Sequence, residues 1–143
     1  MQMNAQHLTR FMREQFPQVA EDFAVQINDQ DELSVKMQIE TRHLRPGQTV
    51  SGPSMFALAD VTFYLAILQK IGPEALSVTT SATINFMRKP GSEPLVAVPL
   101  IHKLGRRLVV GDVLIYAASD TGFETPVASA SLTYSLPPKQ ETI

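Results

Sequence analysis

No cysteine occurs in the 143 residues. That absence excludes disulfides, thiolate metal sites and a cysteine nucleophile together, and it fits a reducing compartment. An excess of positive charge is also missing: twelve basic against fourteen acidic residues leave a net charge of −2. Nothing therefore marks a general polyanion surface, and nucleic acid is not an expected partner. The longest apolar run, Met55 to Leu68, falls short of a bilayer span and carries Asp60 in its middle, so no membrane association is expected. The N-terminus has no basic start leading into an apolar stretch, which predicts a cytoplasmic protein without a secretory signal. The three histidines, His7, His43 and His102, show no metal-ligand spacing, and no metal is expected. No glycine-rich phosphate loop is found. Ser51, Ser54 and Ser81 stand in no Gly-x-Ser-x-Gly elbow and have no histidine near in sequence, which disfavours a serine hydrolase.

What is present is an ordinary globular composition, 44% apolar and 18% charged, of one-domain length. Residues 1–143 are read as a single domain. Leu8, Phe11, Met12 and Phe16 recur at helical spacing, predicting a short amphipathic helix from about Asn4 to Gln15 that Pro17 stops. Alternation predicts a hairpin from Phe23–Asn28 and Leu33–Glu40, followed by a loop over 41–48 marked by Pro46-Gly47. His43, on that loop, is expected to face solvent.

From Pro53 to Lys70 the pattern is helical and almost wholly apolar, so that helix should be enclosed. Gly52-Pro53 opens it and Gly72-Pro73 closes it. Four extended stretches follow, at about Ser77–Arg88, Leu95–Leu104, Arg107–Ser119 and Glu124–Leu136. Pro99 argues for an edge or a bulge within the second. Two strands, an apolar helix and four more strands make an α+β domain, a curved antiparallel sheet wrapped around one helix.

Asp60 does not fit its surroundings. Its helical neighbours three and four residues away are Phe56, Ala57, Phe63 and Tyr64, none able to neutralise a carboxylate. A buried, unpaired carboxylate costs several kcal/mol or takes up a proton. Two readings stay open: a carboxylate hydrogen-bonded across the core to a Thr, Ser or Arg, or a general base or nucleophile in a water-poor cleft. The helix entrance, Ser51-Gly52-Pro53-Ser54, adds free N–H groups where partial positive charge collects. The Gly52 N–H is suited to a developing oxyanion. Ser51 is expected to cap the helix, and Ser54 to line the site. Arg88-Lys89 and Lys103/Arg106/Arg107 form two small basic clusters suited to phosphate oxygens or simply to water.

From Val50 to Pro90 the chain resembles the hotdog-fold acyl-CoA thioesterases of the phenylacetate-degradation type. Their signature is His-Gly-Gly, an apolar spacer, Leu-Ala-Asp, a long helix and a strand ending in Phe-Leu-Arg-Pro. The matching residues are Ser51-Gly52-Pro53, Met55-Phe56-Ala57, Leu58-Ala59-Asp60 and Ile84-Asn85-Phe86-Met87-Arg88, with Lys103-Leu104-Gly105-Arg106-Arg107 similar to a later strand-turn signature. The resemblance implies a hotdog fold and hydrolysis of acyl-CoA to acid and CoA. It places the catalytic carboxylate on Asp60 and the oxyanion donor on Gly52. A hydroxyl on the next strand is implied to orient water: Thr80 as the catalytic match, with Thr79 beside it against the substrate. Ser51, Ser54, Arg88, Lys89 and Arg106 are the remaining substrate-binding expectations.

The resemblance also implies a homodimer or homotetramer with the site between subunits, and no cofactor beyond the substrate's own CoA. The chain departs from the signature where Ser51 replaces the histidine, Arg45 an upstream asparagine and Pro53 the second glycine. Those departures motivate the alternative of a non-catalytic acyl-CoA binding domain. A hotdog dehydratase, which pairs a histidine with an acid, is disfavoured because Thr49 to Ile71 contains no histidine.

Overall fold

The computed structural model describes residues 3–138. Helix α1 (Ala5–Gln15) begins at a reciprocal cap in which the Asn4 side chain accepts from the His7 N–H and the His7 ring accepts from the Asn4 N–H. Its apolar face buries Leu8 and Met12. Strands β1 (Phe23–Ile27) and β2 (Leu33–Met37) pair antiparallel with Val25 opposite Val35. A short 3₁₀ turn, Thr41–His43, leads into two two-residue strands, β3 (Leu44–Arg45) and β4 (Thr49–Val50). They pair with Arg45 opposite Thr49. Their turn uses positive φ at Gly47 (96°) and Gln48 (62°), so the expected loop contains a ribbon.

Helix α2 (Gly52–Ile71) is followed by β5 (Val78–Phe86), β6 (Leu95–Leu104), β7 (Leu108–Ala117) and β8 (Ala128–Ser135). The six long strands form one antiparallel sheet in the order β1-β2-β6-β7-β8-β5. The sheet wraps α2, whose Leu58, Phe63, Leu65 and Leu68 are fully buried. This is the hotdog arrangement. By length and composition α2 would also pass for a membrane span, but most of it is packed inside the protein.

Alternation decides which residues meet the helix. In β8, Ala128, Ala130, Leu132 and Tyr134 are buried and their neighbours less so, as a strand's period of two requires. Gly111 of β7 sets how closely the sheet approaches α2. A Cβ there would lie 2.6 Å from the Phe63 ring and 2.3 Å from the Leu100 carbonyl oxygen. Pro99 lies in an interior strand, but β2 pairs only with 95–97, so on that side Pro99 is beyond the ladder and its missing N–H leaves no gap. The irregularity in β6 comes later, between Ile101 and Lys103.

Strand β5 is an edge. Among the described residues it pairs only with β8, and most of its residues are exposed.

Candidate active site

Asp60 is half-buried on α2, and its carboxylate is held from the sheet. The Thr79 hydroxyl donates to Oδ1 at 2.6 Å, and the Tyr134 hydroxyl donates to the same oxygen at 2.7 Å. The two donors are on β5 and β8, and the strand register makes Thr79 and Tyr134 direct cross-strand partners. Tyr134 is fixed in turn between aromatic rings, 5.5 Å from Phe63 and 6.3 Å from Tyr64 between centroids. Burial, and next the Asp60 carboxylate, push the Tyr134 phenol well above its ordinary range. It therefore stays a neutral donor. Oδ2 has no hydrogen-bond partner among the described residues. One oxygen is anchored and the other is left available.

Asp60 opens on a cavity of about 450 Å³. The cavity's apolar wall includes Met12 of α1, Phe16 at its C-terminal cap, Val19, Val61 and Val78. Tyr64 also lines it, its phenol pushed up to about 12 by burial and, less, by Glu74. The Tyr64 hydroxyl and the Ser77 Oγ, both in this wall, are buried with no hydrogen-bond partner among the described residues.

Gly52, the first residue of α2, faces a different cavity of about 370 Å³. The Ser51 side chain caps the helix by accepting from the Ser54 N–H at 3.3 Å. The Ser51 N–H donates to the His43 carbonyl at 2.8 Å. No acceptor among the described residues takes the Gly52 N–H. The Phe86 ring rests against Gly52, 3.3 Å from where a Cβ would be. Arg45, Arg88 and Lys89 line this cavity and no acidic residue does. The Arg88 guanidinium donates to the Pro126 carbonyl at 2.5 Å.

The expected site residues therefore separate into groups. Asp60 and Thr79 share one cavity; Gly52, Arg88 and Lys89 share the other. Thr80 does not reach Asp60: it follows Thr79 at a break in the register, and its hydroxyl donates to the Thr133 carbonyl. Ser51 and Ser54 bond to each other at 2.9 Å and line neither cavity. Arg106, in the β6–β7 turn, lines neither as well. Of the apolar and aromatic residues near Asp60 in sequence, Tyr64 meets the Asp60 cavity and Met55 the Gly52 cavity, while Phe63 is core and Phe56 is on the surface.

His43 corrects an expectation. It is buried, not solvent-facing. Its Nδ1 accepts from the Glu40 N–H at 2.9 Å and its Nε2 lies 3.5 Å from Asp22, which Arg42 also engages. Through its carbonyl this residue ties down the start of α2. His102, on the outer sheet surface, pairs with Asp112 at 2.6 Å, and Ser131 donates to the same carboxylate at 3.0 Å. That hydrogen bond holds the Asp112 carboxyl below its usual range against some desolvation. Among the described residues no group of three or more metal-type ligands converges.

Tyr134 was missed from sequence. Its signal was an inward tyrosine in an alternating strand, since a buried phenol needs a partner.

Residues 47–124 match the thioesterase superfamily. Among solved structures, a protein of Silicibacter sp. TM1040 named provisionally as a thioesterase is 45% identical, with 95% of this chain and 93% of that chain covered and a TM-score of 0.83. A Haemophilus influenzae thioesterase is 19% identical, with coverages of 99% and 95% and a TM-score of 0.80. The Escherichia coli PaaI protein from the phenylacetic acid degradation operon is 22% identical, with coverages of 92% and 96% and a TM-score of 0.71. The last two share the fold. No curated protein matches the chain.

Proposed function

The chain belongs to the thioesterase superfamily, and from that premise we propose that it hydrolyses acyl-CoA, with Asp60 as the catalytic carboxylate and Gly52 as the oxyanion donor. The observation that carries the reading is the asymmetry of Asp60. Thr79 and Tyr134 orient Oδ1, while Oδ2 remains unpartnered beside an apolar cavity. A carboxylate oriented in this way needs no rearrangement before it reacts.

As general base, Oδ2 takes a proton from water while the water oxygen bonds to the thioester carbon. The carbonyl oxygen gains the negative charge and accepts from the Gly52 N–H, reinforced by the helix dipole. Collapse breaks the C–S bond, and the thiolate of CoA recovers the proton from Asp60. As nucleophile, Oδ2 would bond to the carbon itself and water would open the resulting anhydride. After a single turnover in ¹⁸O-labelled water, label in Asp60 identifies the nucleophilic route, because only water attack on the Asp60 carbon of the anhydride puts it there.

Gly52 and Asp60 are eight residues apart on one helix, about 12 Å of rise, and they face separate cavities. One carbonyl does not reach both within a single copy. Strand β5 offers the solution. Its Val78-Thr79 end borders the Asp60 cavity and its Phe86 end borders the Gly52 cavity. An antiparallel copy laid along this exposed edge brings the Asp60 cavity of one copy to the Gly52 cavity of the other. The edge is nine residues long, and Val78, Phe86 and Met87 are exposed along it, a surface that soluble proteins normally cover. A homodimer is the minimal active unit in this reading.

The cationic Gly52 cavity then receives the CoA side of the substrate, and the apolar Asp60 cavity the acyl side. The test is thiol release from an acyl-CoA panel by wild type and Asp60→Asn. We expect kcat to fall about 10²- to 10⁴-fold; unchanged turnover removes Asp60 from the mechanism. A wild type that binds acyl-CoA without releasing thiol would instead be the non-catalytic binding domain.

A further inference from the structure

The wall of the Asp60 cavity is not built by the sheet and α2 alone. Met12 comes from α1, Phe16 caps its C-terminal end, and Val19 belongs to the segment after it. Asp60 and Tyr64 both line the cavity one helical turn apart, about 6 Å along α2. Two aromatic rings from α1 and its cap pack on Tyr64. Phe16 meets the Tyr64 ring edge-on at 5.5 Å, and Phe11 stands 6.4 Å away. The carboxylate and the Phe16–Tyr64 pair thus line the same cavity, one turn of α2 apart.

We infer that the capped end of α1 and the segment after it form the ruler of acyl-chain length, with Phe16 and Val19 as the specificity-determining residues, and that the substrate class is acyl thioesters of short to medium length. This rests on the reading that the acyl group enters the Asp60 cavity. The volume, about 450 Å³, is in the lower half of small-molecule sites. A chain that passes Asp60 along this turn of α2 meets the Phe16 ring packed on Tyr64. Each methylene that fits gains transfer free energy, and each one beyond the stop must displace packed aromatic side chains. Met12 is nearly fully buried and anchors α1 to the core, whereas Phe16 and Val19 are only partly buried. The two outer residues can therefore be changed with less damage to folding.

The experiment is kcat/KM for butyryl-, octanoyl-, lauroyl- and palmitoyl-CoA with wild type, Phe16→Ala and Val19→Phe. Wild type is expected to favour the shorter members and to process palmitoyl-CoA poorly. Phe16→Ala should raise the lauroyl-to-butyryl ratio about tenfold, the worth of roughly two buried methylenes. Val19→Phe should lower the same ratio. General damage to folding moves all substrates together, so opposite shifts in the two variants cannot arise from it. A lauroyl-to-butyryl ratio unchanged in both variants, or equal turnover of palmitoyl-CoA by wild type, overturns the ruler. Turnover surviving in Asp60→Asn would remove the catalytic assignment yet leave this length profile readable, so the two failures are distinct.

Discussion

The two cavities along α2 are built on opposite principles. At Asp60 the protein supplies partners, two hydroxyls from neighbouring strands converging on one carboxylate oxygen inside an apolar wall. At Gly52 it withholds them. The helix N–H has no acceptor, and Arg45 and Lys89 have no side-chain partner among the described residues. The difference teaches what each end is prepared for. A group that must act in one geometry is pre-oriented, whereas a surface that must receive a substrate's negative charge keeps its donors free.

The sharpest way to break that contrast is to remove the orientation while leaving the acid. Thr79→Val and Tyr134→Phe each delete one donor to Oδ1. Each is expected to lower kcat about tenfold with little change in KM, the scale of one hydrogen bond to a charged group. The double variant should lose less than the product of the two, because both donors hold the same atom. Stopped-flow or steady-state assays at saturating substrate read the split directly.

At the other end a smaller effect of opposite kind is expected. Arg45→Gln should raise KM for acyl-CoA a few-fold while leaving kcat nearly intact, and the difference should shrink as salt is added, because Arg45 is exposed. The matching N-acetylcysteamine thioester, which lacks the phosphates, should show no such change. A loss equal for both thioesters would mean that Arg45 does not meet the CoA portion.

The smallest effect concerns stability. The Tyr64 phenol rises from 10.0 to about 12 in the folded state, so the neutral form is favoured by folding. Its contribution is complete below pH 10 and is lost as pH climbs towards 12. Tyr64→Phe should therefore lose less stability than wild type between pH 9 and pH 11 in urea titrations, with a neutral-pH change within about 1 kcal/mol because the hydroxyl has no partner to forfeit. Equal alkaline losses in the two proteins would place the titration elsewhere.

Much of this architecture was legible in the residues, and the boundary of legibility is physical. Gly52-Pro53 and Gly72-Pro73 frame α2 as the sequence pattern predicts, since helix ends are written in local chemistry. The turn residues on either side, Pro90-Gly91 and Gly105, likewise bounded the stretch that forms β6, Leu95–Leu104. The β3–β4 ribbon escaped because its turn places Gln48, an ordinary residue, at positive φ, which no local signal announces. His43 was misplaced because its burial depends on Asp22, twenty-one residues earlier in the chain. Asp60 stood out by residue type alone, but its partners did not. Thr79 and Tyr134 become neighbours only through the β5–β8 register, which is a tertiary fact. The same register decides between Thr79 and Thr80, whose side chains differ in direction and not in chemistry.

The central claim is that one carbonyl is served by Asp60 of one copy and Gly52 of another. Mixing two inactive proteins, Asp60→Asn and Gly52→Pro, tests it. Proline is tolerated at a helix start and deletes the N–H, though the Phe86 ring must yield slightly. Alone, Gly52→Pro should lose at least about 10²-fold in kcat. After dissociation and random reassociation, half the dimers carry one mutation on each copy, and one of their two sites is unaltered. The account predicts recovery of about a quarter of wild-type activity, by the symmetry of a two-fold dimer. Mixtures no more active than their components would contradict it.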